Sequence, residues 1–167
     1  SSIDDWCSYM YINNFKKNWQ QKDYYENSKK FSQNIKIDNL KKIKIDNSIT
    51  ERKIKIAFFS SDINHTHSVT YFLKTVLKNI NKNKFEIYVI SNSKKDEYKD
   101  DYKIYLNDWF NIRNLNDLEA ITFIREKKLD IIFDLMGFTS ENRINLFKNR
   151  IAPIQISWLG YCNTLGL

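Results

Sequence analysis

The sequence predicts an α/β protein built on a mainly parallel sheet. Three observations carry that expectation. Four long apolar runs recur over residues 54–160, segments of helical periodicity separate them, and each run ends in small or polar residues. Unbroken apolar runs are the mark of strands buried on both faces, which is the setting of a parallel sheet. Repeated strand–helix units of this length give a sheet covered by helices on both sides, a Rossmann-like domain.

The elements follow in chain order. Residues 1–32 read as one or two helices, because Trp6, Met10, Phe15 and Trp19 recur at three- to five-residue intervals. Their apolar stripe needs a surface to pack on. Residues 33–53 read as a linker or short hairpin. The pentapeptide IKIDN occurs there twice, at Ile35–Asn39 and Ile43–Asn47, with Ile in a strand-like period of two. Residues 54–167 make the main domain. Ile54–Ser61 is its first strand. Val69, Phe72, Leu73, Val76, Leu77 and Ile80 mark a helix over Val69–Ile80, with Ser68 as its cap. Lys84–Ser91 is a second strand, Tyr98–Leu106 a helix and Asp108–Ile112 a short strand. Asn114 then caps a helix that turns Leu118, Ile121, Phe123 and Ile124 inward. Leu129–Gly137 is a buried strand, Asn142–Lys148 a short helix and Ala152–Gly160 the last strand. Ile54–Ser60 and Leu129–Leu135 are expected at the centre of the sheet.

Composition narrows the function. With 42% hydrophobic residues in 167, the chain can bury a core, and 3 Gly with 1 Pro argue against a loop-rich all-β fold. The net charge of +7 invites a nucleic-acid reading. No Arg-rich run, zinc-finger spacing or RNA-binding aromatic motif supports it, so the charge is read as a lysine-rich solvated surface. Cys7 and Cys162 stand alone in unlike contexts, which fits a reducing compartment and gives neither a disulfide framework nor a metal cluster. No signal peptide and no apolar stretch long enough for a membrane span are present. The chain does not begin with Met and reads as a piece of something longer.

In a parallel sheet, ligands sit beyond the carboxyl ends of the strands. Those ends are Ser60–Asp62, Ser91–Asn92, Gly137–Thr139 and Gly160–Thr164. The first lacks G-x-G-x-x-G and no P-loop occurs anywhere, which disfavours a dinucleotide dehydrogenase and a P-loop NTPase. The two histidines, His65 and His67, both follow the first strand. With Ser68 as cap, His67 lies at the positive end of the next helix, where the dipole favours a neutral imidazole able to take a proton from a hydroxyl. A loop histidine that merely bonds backbone near the cap is the alternative. Asp62 either orients His67 or bonds amides of its own loop.

The residues from Ile54 to Leu167 resemble the amino-terminal half of the catalytic region in the O-GlcNAc transferase and SPINDLY-like protein O-glycosyltransferases. The resemblance rests on five motifs in order. They are Ser60-Ser61-Asp62 with His67-Ser68-Val69-Thr70-Tyr71-Phe72; Lys84 to Ser91; Asp130-Ile131-Ile132-Phe133-Asp134-Leu135-Met136-Gly137-Phe138-Thr139; Asn142-Arg143 with Phe147 and Arg150; and Ala152-Pro153-Ile154-Gln155 followed by Trp158-Leu159-Gly160-Tyr161, Asn163-Thr164 and Gly166. The sequence departs from the pattern at Phe138, at Ile151 and Cys162 where the family has proline, and at Leu165. The loop before His67 is one residue longer than usual, so His65 competes for the histidine's place.

The resemblance implies one lobe of a GT-B glycosyltransferase with a short helical appendage, residues 1–32 being the end of a tetratricopeptide array. It implies transfer of N-acetylglucosamine from UDP-GlcNAc to Ser or Thr hydroxyls of proteins, with inversion, no metal and no cofactor beyond the sugar nucleotide. A GDP-fucose-dependent fucosyltransferase and a non-catalytic, partner-binding lobe are the alternatives. His67 and Asp62 take the catalytic positions; Gly137, Thr139, Gly160, Tyr161, Asn163 and Thr164 take substrate-binding ones. The lobe that holds most of the nucleotide lies outside these residues, so the piece alone is expected to be inactive. Protein acceptors are the implied partners, and the cytoplasm, with the nucleus in a eukaryote, is the implied location.

Overall fold

The computed structural model describes residues 2–37, 40, 43, 51–64 and 66–167. Most of the 33–53 segment, with its expected linker or hairpin, and His65 lie outside these residues. The described chain runs α1 (Ile3–Asn13), α2 (Gln21–Asn34), β1 (Ile54–Ser60), α3 (Ser68–Asn79), β2 (Phe85–Ser91), α4 (Lys99–Tyr102), a 3₁₀ turn at Lys103–Tyr105, β3 (Asp108–Asn111), α5 (Asp117–Glu126), β4 (Ile131–Asp134), α6 (Ile144–Lys148) and β5 (Ile154–Ser157).

The strands form one sheet in the order β3-β2-β1-β4-β5, and every pairing is parallel. This is the α/β architecture expected, with β1 at the centre and β4 beside it. The chain moves outward from β1 through β2 to β3, then returns across the sheet to β4. The switch in direction therefore falls between β1 and β4, where a ligand crevice opens in such sheets. The apolar run of β1 divides between the two faces. Ala57 and Phe59 pack with α5 and α6, in a core that includes Ile121, Ile124, Ile132 and Phe147. Ile56 and Phe58 pack with α3, against Leu73, Leu77, Ile87 and Val89. Phe58 and Phe59 are both fully buried. Each such side chain contributes roughly 1.5–3 kcal/mol, which is why these strands tolerate no alternation of polar residues.

A third core joins the N-terminal helices to the domain. Met10, Tyr24, Phe31 and Ile35 pack with Phe138, Ile144, Tyr161 and Leu165. The α1–α2 pair is thus bound to the loops that follow β4 and β5. A capping box starts α1: Ser2 Oγ accepts the Asp5 N–H at 3.1 Å and the Asp5 carboxylate accepts the Ser2 N–H at 2.8 Å.

Several local expectations shift. The cap before α5 is Asn116 rather than Asn114, because Asn116 and Glu119 complete a reciprocal capping box. That register turns Ala120, Ile121 and Ile124 inward and leaves Leu118 51% exposed. The cap of α3 is His67 rather than Ser68, which is already helical. Tyr98–Leu106 is a single α-turn and a 3₁₀ turn, pinned by buried Tyr102. The β4 ladder ends at Asp134, since the chain turns there and Gly137 adopts φ +58°.

Candidate active-site cleft

The carboxyl ends of the strands open into a cleft of about 1300 Å³. Asp62, His67, Thr139 and Gly160 line it, so the loops after β1, β4 and β5 meet there. The facing wall is α1, through Asp4, Cys7, Ser8, Tyr11 and Ile12.

The loop after β1 brings Asp62 and His67 together. The Asp62 N–H donates to Ser60 Oγ at 2.9 Å, and Thr70 Oγ1 donates to the Asp62 carbonyl at 3.2 Å. These bonds tie the strand end to α3. His67 Nδ1 accepts the Val69 N–H at 3.4 Å, while Nε2 lies 3.7 Å from Asp62 Oδ2. The Nε2 edge of the ring thus faces the carboxylate. Burial pushes the Asp62 carboxyl above its ordinary value, His67 pulls it back, and the charge of Glu141 adds to the rise. The Asp62 carboxylate thus faces the histidine, while its backbone holds the loop.

The loop after β4 is built differently. Asp134 is 3% exposed, and its carboxylate accepts the Met136 N–H at 2.9 Å and the Gly137 N–H at 3.2 Å. Burial pushes this carboxyl up to about 6. Thr139 Oγ1 donates to the Met136 carbonyl at 2.7 Å, which leaves Thr139 at the cleft surface.

Of the other expected binding residues, Gly137, Tyr161, Asn163 and Thr164 do not line the cleft. They hold its floor. A β-carbon on Gly137 would overlap the Tyr161 ring. The Tyr161 hydroxyl is hydrogen-bonded to the Tyr24 hydroxyl and accepts from Asn14 Nδ2 at 2.8 Å. Asn163 Nδ2 donates to Asn14 Oδ1 at 3.2 Å. Thr164 Oγ1 accepts the Gly166 N–H at 3.2 Å. Gly160 itself is forced by space, since a side chain there would strike the Leu135 carbonyl.

Asn92, at the end of β2, also lines the cleft, as do Arg113, Glu141 and Arg143, which had been given no role at the site. The Glu141 carbonyl accepts from Ser61 Oγ at 2.8 Å and Asn92 Nδ2 at 3.2 Å, and its carboxylate pairs with Arg113. The Arg113 guanidinium holds that carboxyl below its ordinary value. Glu141 thereby links the tips of β1, β2 and β3 to the loop after β4. Arg143 Nε donates to Asp117 Oδ1 at 2.9 Å and fastens α6 to α5. Cys7 is no nucleophile near neutral pH, because burial pushes its thiol up to about 11. Among the described residues, no three His, Cys, Asp or Glu side chains converge on a metal position.

A parallel sheet with its cleft over the strand ends, walled by an N-terminal helix pair, is a Rossmann-like α/β lobe. The model of glycosyl transferase family 41 matches residues 31–167, and the chain belongs to that family. It is 33% identical over 122 residues to the probable UDP-N-acetylglucosamine–peptide N-acetylglucosaminyltransferase SPINDLY of Arabidopsis thaliana, covering 70% of this chain and 13% of that protein. The SPINDLY protein of Solanum lycopersicum is also 33% identical, over 73% of this chain and 14% of its own length. The Arabidopsis protein SEC, a probable enzyme of the same description, is 23% identical over 69% of this chain and 12% of its own. A mutant of Thermobaculum terrenum O-GlcNAc transferase shares the fold with a TM-score of 0.88 at 22% identity, over all of this chain and 32% of its own. Among the described residues, no helix is long and apolar enough to cross a membrane.

Proposed function

We propose that this chain is the acceptor-side lobe of a protein O-glycosyltransferase, moving N-acetylglucosamine from UDP-GlcNAc to Ser or Thr hydroxyls with inversion. The observation that carries the reading is the His67–Asp62 pair, set in the cleft where the sheet changes direction. In the step, the acceptor oxygen attacks the anomeric carbon as its proton passes to a base on the lobe. The bond from that carbon to the diphosphate breaks, and UDP leaves with the electron pair. His67 is the base of this reading. Its Nδ1 lone pair is engaged by the Val69 N–H at a long 3.4 Å, so the ring has only a weak bond to surrender when a hydroxyl arrives. Asp62 then stabilises the imidazolium that forms. Thr139 and Gly160 lie at the surface that substrate would meet. The nucleotide is held mainly by a second lobe outside residues 1–167, so this stretch alone is inactive and needs no metal. The α1–α2 pair is the end of a tetratricopeptide array that presents protein acceptors in the cytoplasm or nucleus.

In the full-length protein, His67→Ala is expected to lower kcat by ~10²–10⁴ while leaving donor affinity nearly unchanged. His65→Ala serves as the control. If His65→Ala abolishes turnover and His67→Ala spares it, the wrong histidine has been chosen; if neither matters, the lobe is a non-catalytic module. Competition between UDP-GlcNAc and GDP-fucose identifies the donor.

A further inference from the structure

Among the described residues, four that are not glycine adopt a positive φ, and of these Glu141 alone lines the cleft. Its φ is +62°, in the left-handed region where a side chain crowds its own backbone. Such a residue persists only where its surroundings over-determine it, and outliers of this kind gather at working sites. The surroundings of Glu141 are of that sort. Its carbonyl accepts from Ser61 Oγ at 2.8 Å and from Asn92 Nδ2 at 3.2 Å, while Ser93 Oγ donates to the Ser61 carbonyl at 2.6 Å. Ser61 is thereby held through both its hydroxyl and its carbonyl, and the next residue is Asp62.

The side chain has a separate job. One oxygen of the Glu141 carboxylate is paired with Arg113, and Lys94 Nζ lies 3.9 Å from the other. Both partners of the arginine pair are partly exposed, and surface pairs add little to folding. Stability therefore does not explain why a glutamate, and not a glycine, stands at a left-handed position. What the carboxylate does reach is Asp62, whose protonated form its charge favours. The other charged groups around the cleft are His67 beside Asp62, Asp4 on α1, Arg113 after β3 and Arg143 at the start of α6. Arg143 is committed to Asp117, which leaves the Glu141–Arg113 pair as the adjustable charge on the rim across from α1.

We infer that Glu141 is a positioning residue of the Asp62–His67 pair: its main chain fixes the strand end that carries Asp62, and its carboxylate, anchored by Arg113, holds a negative charge over the same cleft. The inference rests on the role proposed above for that pair and adds to it. An anion near the pair favours its protonated form, and Arg113 cancels part of that effect. The balance sets the pH below which the pair already carries a proton and can take none from an acceptor hydroxyl. Removing either partner should therefore move that pH, and the two removals should move it in opposite directions. A residue that merely held the loop in place would give no such opposition.

The pH profile of kcat/KM in the full-length protein tests it. Glu141→Gln should move the acidic limb down by about half a pH unit, and Arg113→Gln should move it up by a similar amount. Glu141→Gly keeps the carbonyl and relieves the positive φ, so it should reproduce the downward shift with the melting temperature unchanged or raised. An acidic limb that stays within about 0.1 unit in both Gln variants overturns the inference, as does a shift of the same sign in both. A lowered melting temperature in Glu141→Gly without the downward shift makes Glu141 a structural residue and overturns it too. The reading beneath it is separated by the histidine. If His67→Ala spares turnover, the role of the pair falls and this inference with it; if His67→Ala abolishes turnover and the limb stays put, only this inference falls.

Discussion

The loops after β1 and β4 face the same cleft and are held in contrasting ways. The β1 loop holds its partly exposed His67 by contacts of 3.4 and 3.7 Å. The β4 loop is locked by a buried carboxylate on two amides, a glycine at positive φ and the Tyr161 ring. The difference separates two jobs. In the proposed reaction, the group that exchanges partners would sit in shallow wells, and the floor beneath it in deep ones. The contrast can be broken experimentally, starting with the deepest well.

Gly137→Ala adds a β-carbon against Tyr161 and forces alanine to φ +58°. The strained backbone costs about 1–3 kcal/mol and overpacking about a further 1–3, so urea unfolding should show a loss of roughly 2–6 kcal/mol. A loss under about 1 kcal/mol would show that the floor is as pliable as the β1 loop.

Asp134 gives a pH signature. Its carboxyl rises from 3.8 to about 6 on folding, so the folded state prefers the protonated form. The group's favourable contribution is present below about pH 4 and is lost as pH rises through about 6, a change of roughly 3 kcal/mol. Asp134→Asn should flatten the stability profile across that window. An unchanged slope would assign it to other groups.

The smallest effect belongs to the β1 loop. His67→Ala removes a long N-cap bond and should cost only about 0.5 kcal/mol of stability, the low end for a lost cap. A cost above about 2 kcal/mol would make His67 a structural residue and erase the contrast between the loops.

Much of this architecture was legible in the residues. The strands declared themselves because burial on both faces leaves no room for polar alternation, and the carboxyl ends placed Asp62, His67, Thr139 and Gly160 at one rim. Asp134 was visible as an acid inside an otherwise apolar run, though its bonds to Met136 and Gly137 depend on a turn that the pattern does not reveal. The motif around Tyr161 marked that residue without saying that it faces inward, because its burial depends on Tyr24 and Asn14, well over a hundred residues earlier in the chain. The α1 wall was hidden for the same reason: periodicity shows that a helix has an apolar stripe and is silent on what the stripe meets. The caps moved by one or two positions, as Asn116 and His67 show, because a cap is decided by reciprocal side-chain bonds as well as residue type.

The grip of Tyr24 and Asn14 on Tyr161 makes the helix pair a lever whose short arm is the cleft floor. Gly160, at the cleft surface, is covalently next to Tyr161. A tilt of α2 would therefore pull on the Tyr161 hydroxyl, one residue along the chain from the glycine at the cleft surface.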